Sequence, residues 1–209
     1  LNGHPGPILP GVHISTGPLG QGMGVAQGFA LIGKKSPTFD VFCITGDGEL
    51  QEGPIWETAM FSSHKKLDNL CVLVDKNSGQ LDTHTQLVFP LVDLEKKFTA
   101  FGWRVFDVDA TQYGPVLDAL QTFRFAPRDG RPTLIICHTR KGYGGFSGFM
   151  VKHKVVIQDP LMEQELALQE HQRAHRIAEF LDFLAGLDDE AVREKLLTTA
   201  QEMNLDIVI

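Results

Sequence analysis

Residues 39–53 read FDVFCITGDGELQEG, and the change of character at Gly46 sets how the rest of the chain is read. FDVFCIT (39–45) is an apolar run of strand length. GDGEL follows it at once, and PIWETAMFSSHKKL (54–67) then opens with a proline suited to a first helical turn. The pattern repeats downstream. NLCVLVD (69–75) is a second apolar strand, closed by the loop KNSGQLDTHT (76–85). A helix is expected over 90–101, a strand over WRVFDVD (103–109), a helix over 113–125 and a strand over PTLIICHT (132–139). Strands alternating with helices predict an α/β fold, a parallel sheet with helices on both faces. Continuous runs such as LCVLV agree, because parallel strands are buried on both sides.

Upstream, LNGHPGPILPGVHIST (1–16) has neither helical nor strand period and reads as an extended loop. GPLGQGMGVAQGFALIG (17–33) turns from a glycine-rich loop into a small-residue helix. Beyond the glycine-rich RKGYGGFSGF (140–149) the chain becomes charged and helical. One stripe of 161–184 holds Ile177, Phe180, Leu181 and Leu184, and 188–203 reads as a further helix behind an aspartate cap. The expected division is an α/β domain over 1–155 and a helical C-terminal segment over 156–209.

Composition narrows the function classes. The chain has 209 residues, 43% hydrophobic and 22% charged, so a globular core is expected and disorder is not. Nineteen Lys and Arg against 26 Asp and Glu give a net charge of −7, which argues against nucleic-acid and anionic-membrane partners. No apolar run nears the roughly 18 residues of a membrane span. Cys43, Cys71 and Cys137 all fall in apolar strand segments and read as reduced core residues of a cytoplasmic protein.

Chemistry concentrates where a parallel sheet presents ligands, beyond the carboxyl ends of its strands. Asp47 leaves the end of one strand and Asn77 the end of the next, so their side chains can converge. A carboxylate and an amide oxygen are hard donors, suited to Mg²⁺ or Ca²⁺ and unsuited to zinc. Mg²⁺ is commonly completed by phosphate oxygens, and the glycines beside Asp47 let backbone amides approach such a ligand. GDG alone is equally a tight turn; the second site thirty residues on is what favours the metal. STGPLGQG (15–22) lacks both the P-loop ending and the GxGxxG spacing, so neither nucleotide fingerprint applies.

HPGPILPGVHISTGPLGQGMGVAQGFA, GDGELQEGPIWETAM and LDNLCVLVDKNSGQLD together resemble the diphosphate-binding half of transketolases, in order and spacing over about residues 3–145. The resemblance implies a thiamine diphosphate cofactor and Mg²⁺ held by Asp47, Asn77 and the backbone carbonyl of Gly79. It places Gly46, Gly48 and Glu49 with the cofactor diphosphate, and Gly17, Pro18 and Leu19 against the aminopyrimidine or the adjoining wall. His4 would contact the donor sugar, and Glu52 would join a network linking two cofactor sites across a dimer. His13 stands where the family is usually acidic and reads as structural. His138 reads as a satisfied core histidine, and Trp56 and Met60 as core. Arg140 and Lys141 could steer sugar phosphates, although exposed bases usually have no specific task. His153 lies roughly where a further family histidine is expected.

The family also needs a pyrimidine-binding domain, which supplies the glutamate that activates the cofactor, and this sequence does not contain it. The resemblance therefore implies one subunit or fragment of a split transketolase, working on sugar phosphates within a homo- or hetero-oligomer and inactive alone. Two alternatives stay open. One is a different thiamine diphosphate enzyme, of the 2-oxoacid dehydrogenase or deoxyxylulose phosphate synthase type. The other is a non-catalytic module derived from a transketolase.

Overall fold

A computed structural model describes residues 11–35, 38–81, 83–143 and 161–202. Among them, those up to Lys141 form one compact unit and the two last helices belong to a second. The first unit runs α1 (Gln21–Gly33), β1 (Val41–Gly46), a 3₁₀ turn (Gly48–Gln51), α2 (Gly53–His64), β2 (Leu70–Lys76), β3 (Gly79–Gln80), β4 (Thr83–His84), α3 (Thr85–Val88), α4 (Leu94–Ala100), β5 (Arg104–Asp109), α5 (Tyr113–Phe125) and β6 (Thr133–His138). The main sheet has the order β1-β2-β6-β5, with every pairing parallel. β1, β2 and β6 carry apolar runs, and alternate residues feed opposite faces.

One face takes Cys43, Leu70, Val72, Val74, Leu134 and Ile136. They pack with Met23 and Ala30 of α1, Ile55 and Ala59 of α2, and Phe98 of α4. The other face takes Cys71, Ile135 and Cys137, covered by Ala119 and Phe123 of α5. Phe42 of β1 meets Phe123 edge-on at 5.4 Å. The expected α/β fold with helices on both faces is what the chain adopts.

Several boundaries differ from the sequence reading. The helix expected over 90–101 begins only at Leu94, because Asp93 caps it by accepting the Lys96 N–H at 3.0 Å. Val92 just before it sits at φ 53°, a conformation that no helix interior contains. Residues read as plain loop between 76 and 85 hold the antiparallel ribbon of β3 and β4. Met60 is 51% exposed, whereas Trp56, on the same flank of α2, packs among Phe98 and Phe101. His138 is half-exposed rather than core, and its Nε2 lies 2.7 Å from Asp107 Oδ1.

The second unit holds α6 (Leu161–Ala185) and α7 (Glu190–Glu202). Asp189 caps α7 by accepting the Val192 N–H at 3.1 Å, and Leu184 of the expected stripe is buried. The expected boundary near residue 155 lies outside the described residues.

All three cysteines are free and buried in the sheet. Burial pushes the Cys43 thiol up to about 12 and the Cys137 thiol up to about 11, and it raises Cys71 as well. Because thiolate is the reactive form, the native chain should give no fast reaction with a disulfide reagent at pH 8. Three thiols should react once denaturant is added; rapid labelling of the native chain would contradict this.

Candidate functional site

Asp47 follows β1 directly, and the 3₁₀ turn that begins at Gly48 bends its side chain inward, where it is only 4% exposed. Its backbone N–H donates to the Asp75 carbonyl at 3.1 Å, so the ends of β1 and β2 are fastened together. Its carboxylate accepts the Gly48 N–H on Oδ1 at 2.9 Å. Oδ2 accepts the Ser78 N–H at 2.8 Å and the Thr85 hydroxyl at 3.3 Å. Burial raises the Asp47 pKa against the opposing pull of those three donors, and the nearby Asp75 charge adds to the rise.

Ser78 supplies its donor by adopting φ 61°, and the β3–β4 ribbon then carries Thr85 back over the carboxylate. Asn77, just before that turn, is thereby drawn to the Asp47 side of the sheet. Its Oδ1 accepts the Gly79 N–H at 2.9 Å and its Nδ2 donates to Asp75 Oδ2 at 2.9 Å. The loop that carries Asn77 is thus joined to the Asp47 side chain by the Ser78 N–H, while the Asn77 side chain itself bonds Asp75 and Gly79. The Lys141 stem lies over Gly79, where an added Cβ would collide with Lys141 Cδ. The Lys141 ammonium donates to the Leu81 carbonyl.

Glu49 joins the two glycine loops. Its Oε1 accepts the Gly20 N–H at 2.8 Å and its Oε2 the Gly46 N–H at 3.3 Å. Gly17, Pro18 and Leu19 are exposed beside this junction, and Glu52 is exposed at the start of α2. Gly48 approaches the Gln80 side chain, whose Nε2 donates to Gln51 Oε1 at 2.9 Å. His4 and His153 lie outside the described residues. Asp75, Thr85 and Ser78 escaped the sequence reading. Their signals were available only as an Asp two places before the Asn, and as a polar turn with no period of its own.

Gly20 gives a local test of this junction. It sits at φ 79°, and a Cβ there would fall 2.8 Å from Glu52 Cβ. A left-handed non-glycine residue costs roughly 1–2 kcal/mol before any clash. Gly20→Ala should therefore lower the urea midpoint by at least that equivalent and displace Glu52. An unchanged midpoint would contradict the close approach.

The donor set fits a hard divalent cation. A buried carboxylate normally has a charged partner, yet among the described residues no cationic side chain pairs with Asp47. Three of its roughly four acceptor positions are used, which leaves capacity for one ligand bond.

A parallel α/β sheet with polar side chains gathered beyond the carboxyl ends of adjacent strands is the architecture in which open α/β domains bind their ligands. The family model of the transketolase thiamine diphosphate-binding domain matches residues 1–178, and the chain belongs to that family. It is 35% identical to a 6-deoxy-6-sulfo-D-fructose transketolase subunit of a Clostridium species, over 81% of this chain and 66% of that one. It is 39% identical to an apulose-4-phosphate transketolase subunit of Actinobacillus succinogenes, over 81% of this chain and 61% of that one. Human transketolase is 40% identical over 69% of this chain but only 23% of its own length. The chain thus spans about two thirds or less of the curated relatives it matches. Among solved structures, Campylobacter jejuni transketolase superposes with a TM-score of 0.56 at 33% identity, over 62% of this chain and 21% of that one.

Proposed function

We propose that this chain is the diphosphate-binding subunit of a split transketolase, which moves a two-carbon ketol unit from a ketose phosphate to an aldose phosphate. The reading rests chiefly on one observation: a buried carboxylate that pairs with no cationic side chain among the described residues and is bonded to the loop that carries Asn77. In this reading Asp47, Asn77 and the Gly79 carbonyl hold Mg²⁺, with Ca²⁺ as a substitute. Bound thiamine diphosphate supplies the carbanion-stabilising chemistry.

The chain's own work is then anchoring and shaping. Gly46 and Gly48 leave room for the diphosphate beside the backbone, and Glu49 fixes the distance between the two loops that flank it. Gly17, Pro18 and Leu19 offer an exposed wall to the aminopyrimidine. Glu52, exposed at the head of α2, is free to meet a neighbouring protomer, and His4 would address the donor sugar. Residues 1–155 form the cofactor-binding domain in this reading, with 156–209 as a helical segment.

A pyrimidine-binding partner chain completes the site. Exposed Leu19, Val25, Phe29 and Ile32, on and before α1, give such a partner apolar surface to cover. Names of relatives support the split form, since two of them are transketolase subunits rather than whole enzymes. No described helix is long and apolar enough to cross a membrane, and three buried reduced thiols suit the cytoplasm.

Calorimetric titration of thiamine diphosphate into the chain, with and without Mg²⁺, tests the anchor. Ketol transfer from xylulose 5-phosphate, assayed with and without a candidate pyrimidine-domain chain, tests the reaction. Metal-dependent uptake and partner-dependent transfer are the expected results. Turnover of pyruvate in place of the ketose phosphate would move the chain to another thiamine diphosphate enzyme. Absence of any metal-dependent uptake would make it a non-catalytic module.

A further inference from the structure

An asparagine can serve a cation only through its carbonyl oxygen, and nothing in the residue itself decides which end of the amide faces the site. In this chain the decision is made behind it. Asn77 Nδ2 donates to Asp75 Oδ2 at 2.9 Å, and a carboxylate offers acceptors alone, so the NH₂ end must face Asp75. Oδ1 is left on the opposite side, beside the Gly79 N–H at 2.9 Å.

Asp75 is itself held. Its other oxygen, Oδ1, accepts the hydroxyl of Thr139, which follows β6. Asp75 pairs with Cys137 in the β2–β6 register, and the Thr139 N–H donates to the Lys76 carbonyl at 3.3 Å. Rigid strand ends thus set the carboxylate on both sides, as a support for a neighbouring ligand requires.

The geometry points to Asp75 as a positioning residue, which turns the Asn77 amide so that its oxygen meets the cation, with Thr139 holding Asp75 to that task. This rests on the metal–diphosphate reading above. It assigns work to a side chain that would otherwise be only the polar end of a strand.

The test is calorimetry of thiamine diphosphate with Mg²⁺ on the full chain, with Mn²⁺ affinity in the presence of thiamine diphosphate read separately by electron paramagnetic resonance. Asp75→Ala should weaken both affinities by about 10- to 100-fold, the usual cost of losing a support behind a metal ligand. Asp75→Asn should retain most of the affinity, since its oxygen can still accept from Asn77 while its NH₂ meets the Thr139 hydroxyl. A role through charge alone would make Asp75→Asn as weak as Asp75→Ala, and that result would overturn the inference. Asn77→Asp added to Asp75→Ala should restore affinity, because a carboxylate has no wrong end. A purely structural role predicts no such rescue, and its failure would likewise overturn the inference. Thr139→Val should weaken binding in the same direction while leaving the chain folded. Should Asp75→Ala not fold, Asp75→Asn and Thr139→Val still decide the matter. A wild-type chain that takes up no thiamine diphosphate with Mg²⁺ sinks the underlying reading as well. An Asp75→Ala chain that binds like wild type sinks only this one.

Discussion

Asp47→Ala should abolish the stabilisation that thiamine diphosphate and Mg²⁺ give the folded chain. Asp47 is the one anionic side chain in the proposed ligand set, and it already stands in a buried position that favours a cation over solvent. Loss of a mere support behind a metal ligand costs about 10- to 100-fold in affinity, so loss of the ligand itself should cost about 100-fold or more. A ligand at 100 times its dissociation constant stabilises a protein by about 2.7 kcal/mol. At that same concentration a hundredfold-weaker variant keeps only a few tenths. Thermal melts with and without the pair should therefore show a clear upward shift for wild type and nearly none for Asp47→Ala.

The same substitution acts without the cofactor. It leaves the Ser78 and Gly48 N–H groups and the Thr85 hydroxyl without their acceptor. Buried donors stranded in this way cost about 1–3 kcal/mol, so the unliganded variant should also melt earlier. Asn77→Ala separates the two effects. It releases the Gly79 N–H and one Asp75 oxygen, both part-buried, and should lose cofactor affinity with a smaller loss of intrinsic stability. Equal cofactor-induced shifts in wild type and Asp47→Ala would place the metal elsewhere.

How much of this was readable beforehand depends on whether a feature has a period. β2 and β6 are central strands covered on both faces, so LCVLV and TLIIC had to be continuous apolar runs and were legible as such. Asp47 and Asn77 were legible because strand ends in a parallel sheet are predictable positions. The β3–β4 ribbon was not, since two-residue strands leave no alternation to detect. Neither was the left-handed Ser78, which a tertiary bond to Asp47 holds in place. Met60 and Trp56 share a helix flank four residues apart, but only Trp56 meets the Phe98 and Phe101 rings. The task of Glu49 also depends on a contact 29 residues away, with Gly20. A family resemblance can place that glutamate near the diphosphate, but the backbone groups it binds, Gly20 and Gly46, are brought to it only by the fold.

Trp103→Ala should be the most damaging single change to the scaffold beneath the site. Trp103 precedes β5 and is 2% exposed, with its ring edge-on to Phe98 at 5.4 Å and its Nε1–H donating to the Ala59 carbonyl at 2.9 Å. Through that bond and the shared core it fixes α2, whose first turn carries Gly53 and follows Glu52 directly. Truncating a buried aromatic to alanine costs about 3–5 kcal/mol, a large share of the roughly 5–15 kcal/mol that holds a domain together. For a chain of this length about 2–4 °C are lost per kcal/mol, so the melting temperature should fall by about 10 °C. Trp103→Phe keeps the ring packing in part but drops the N–H bond to the Ala59 carbonyl; it should cost less, about 1–3 kcal/mol. Because only Glu52 separates the 3₁₀ turn from α2, Trp103→Ala should also weaken metal-dependent cofactor uptake, even though the indole's partners lie in α2 and α4 and not in the proposed ligand set. A variant that melted like wild type would mean that α2 is held by its other core contacts, and that Trp103 only fills space.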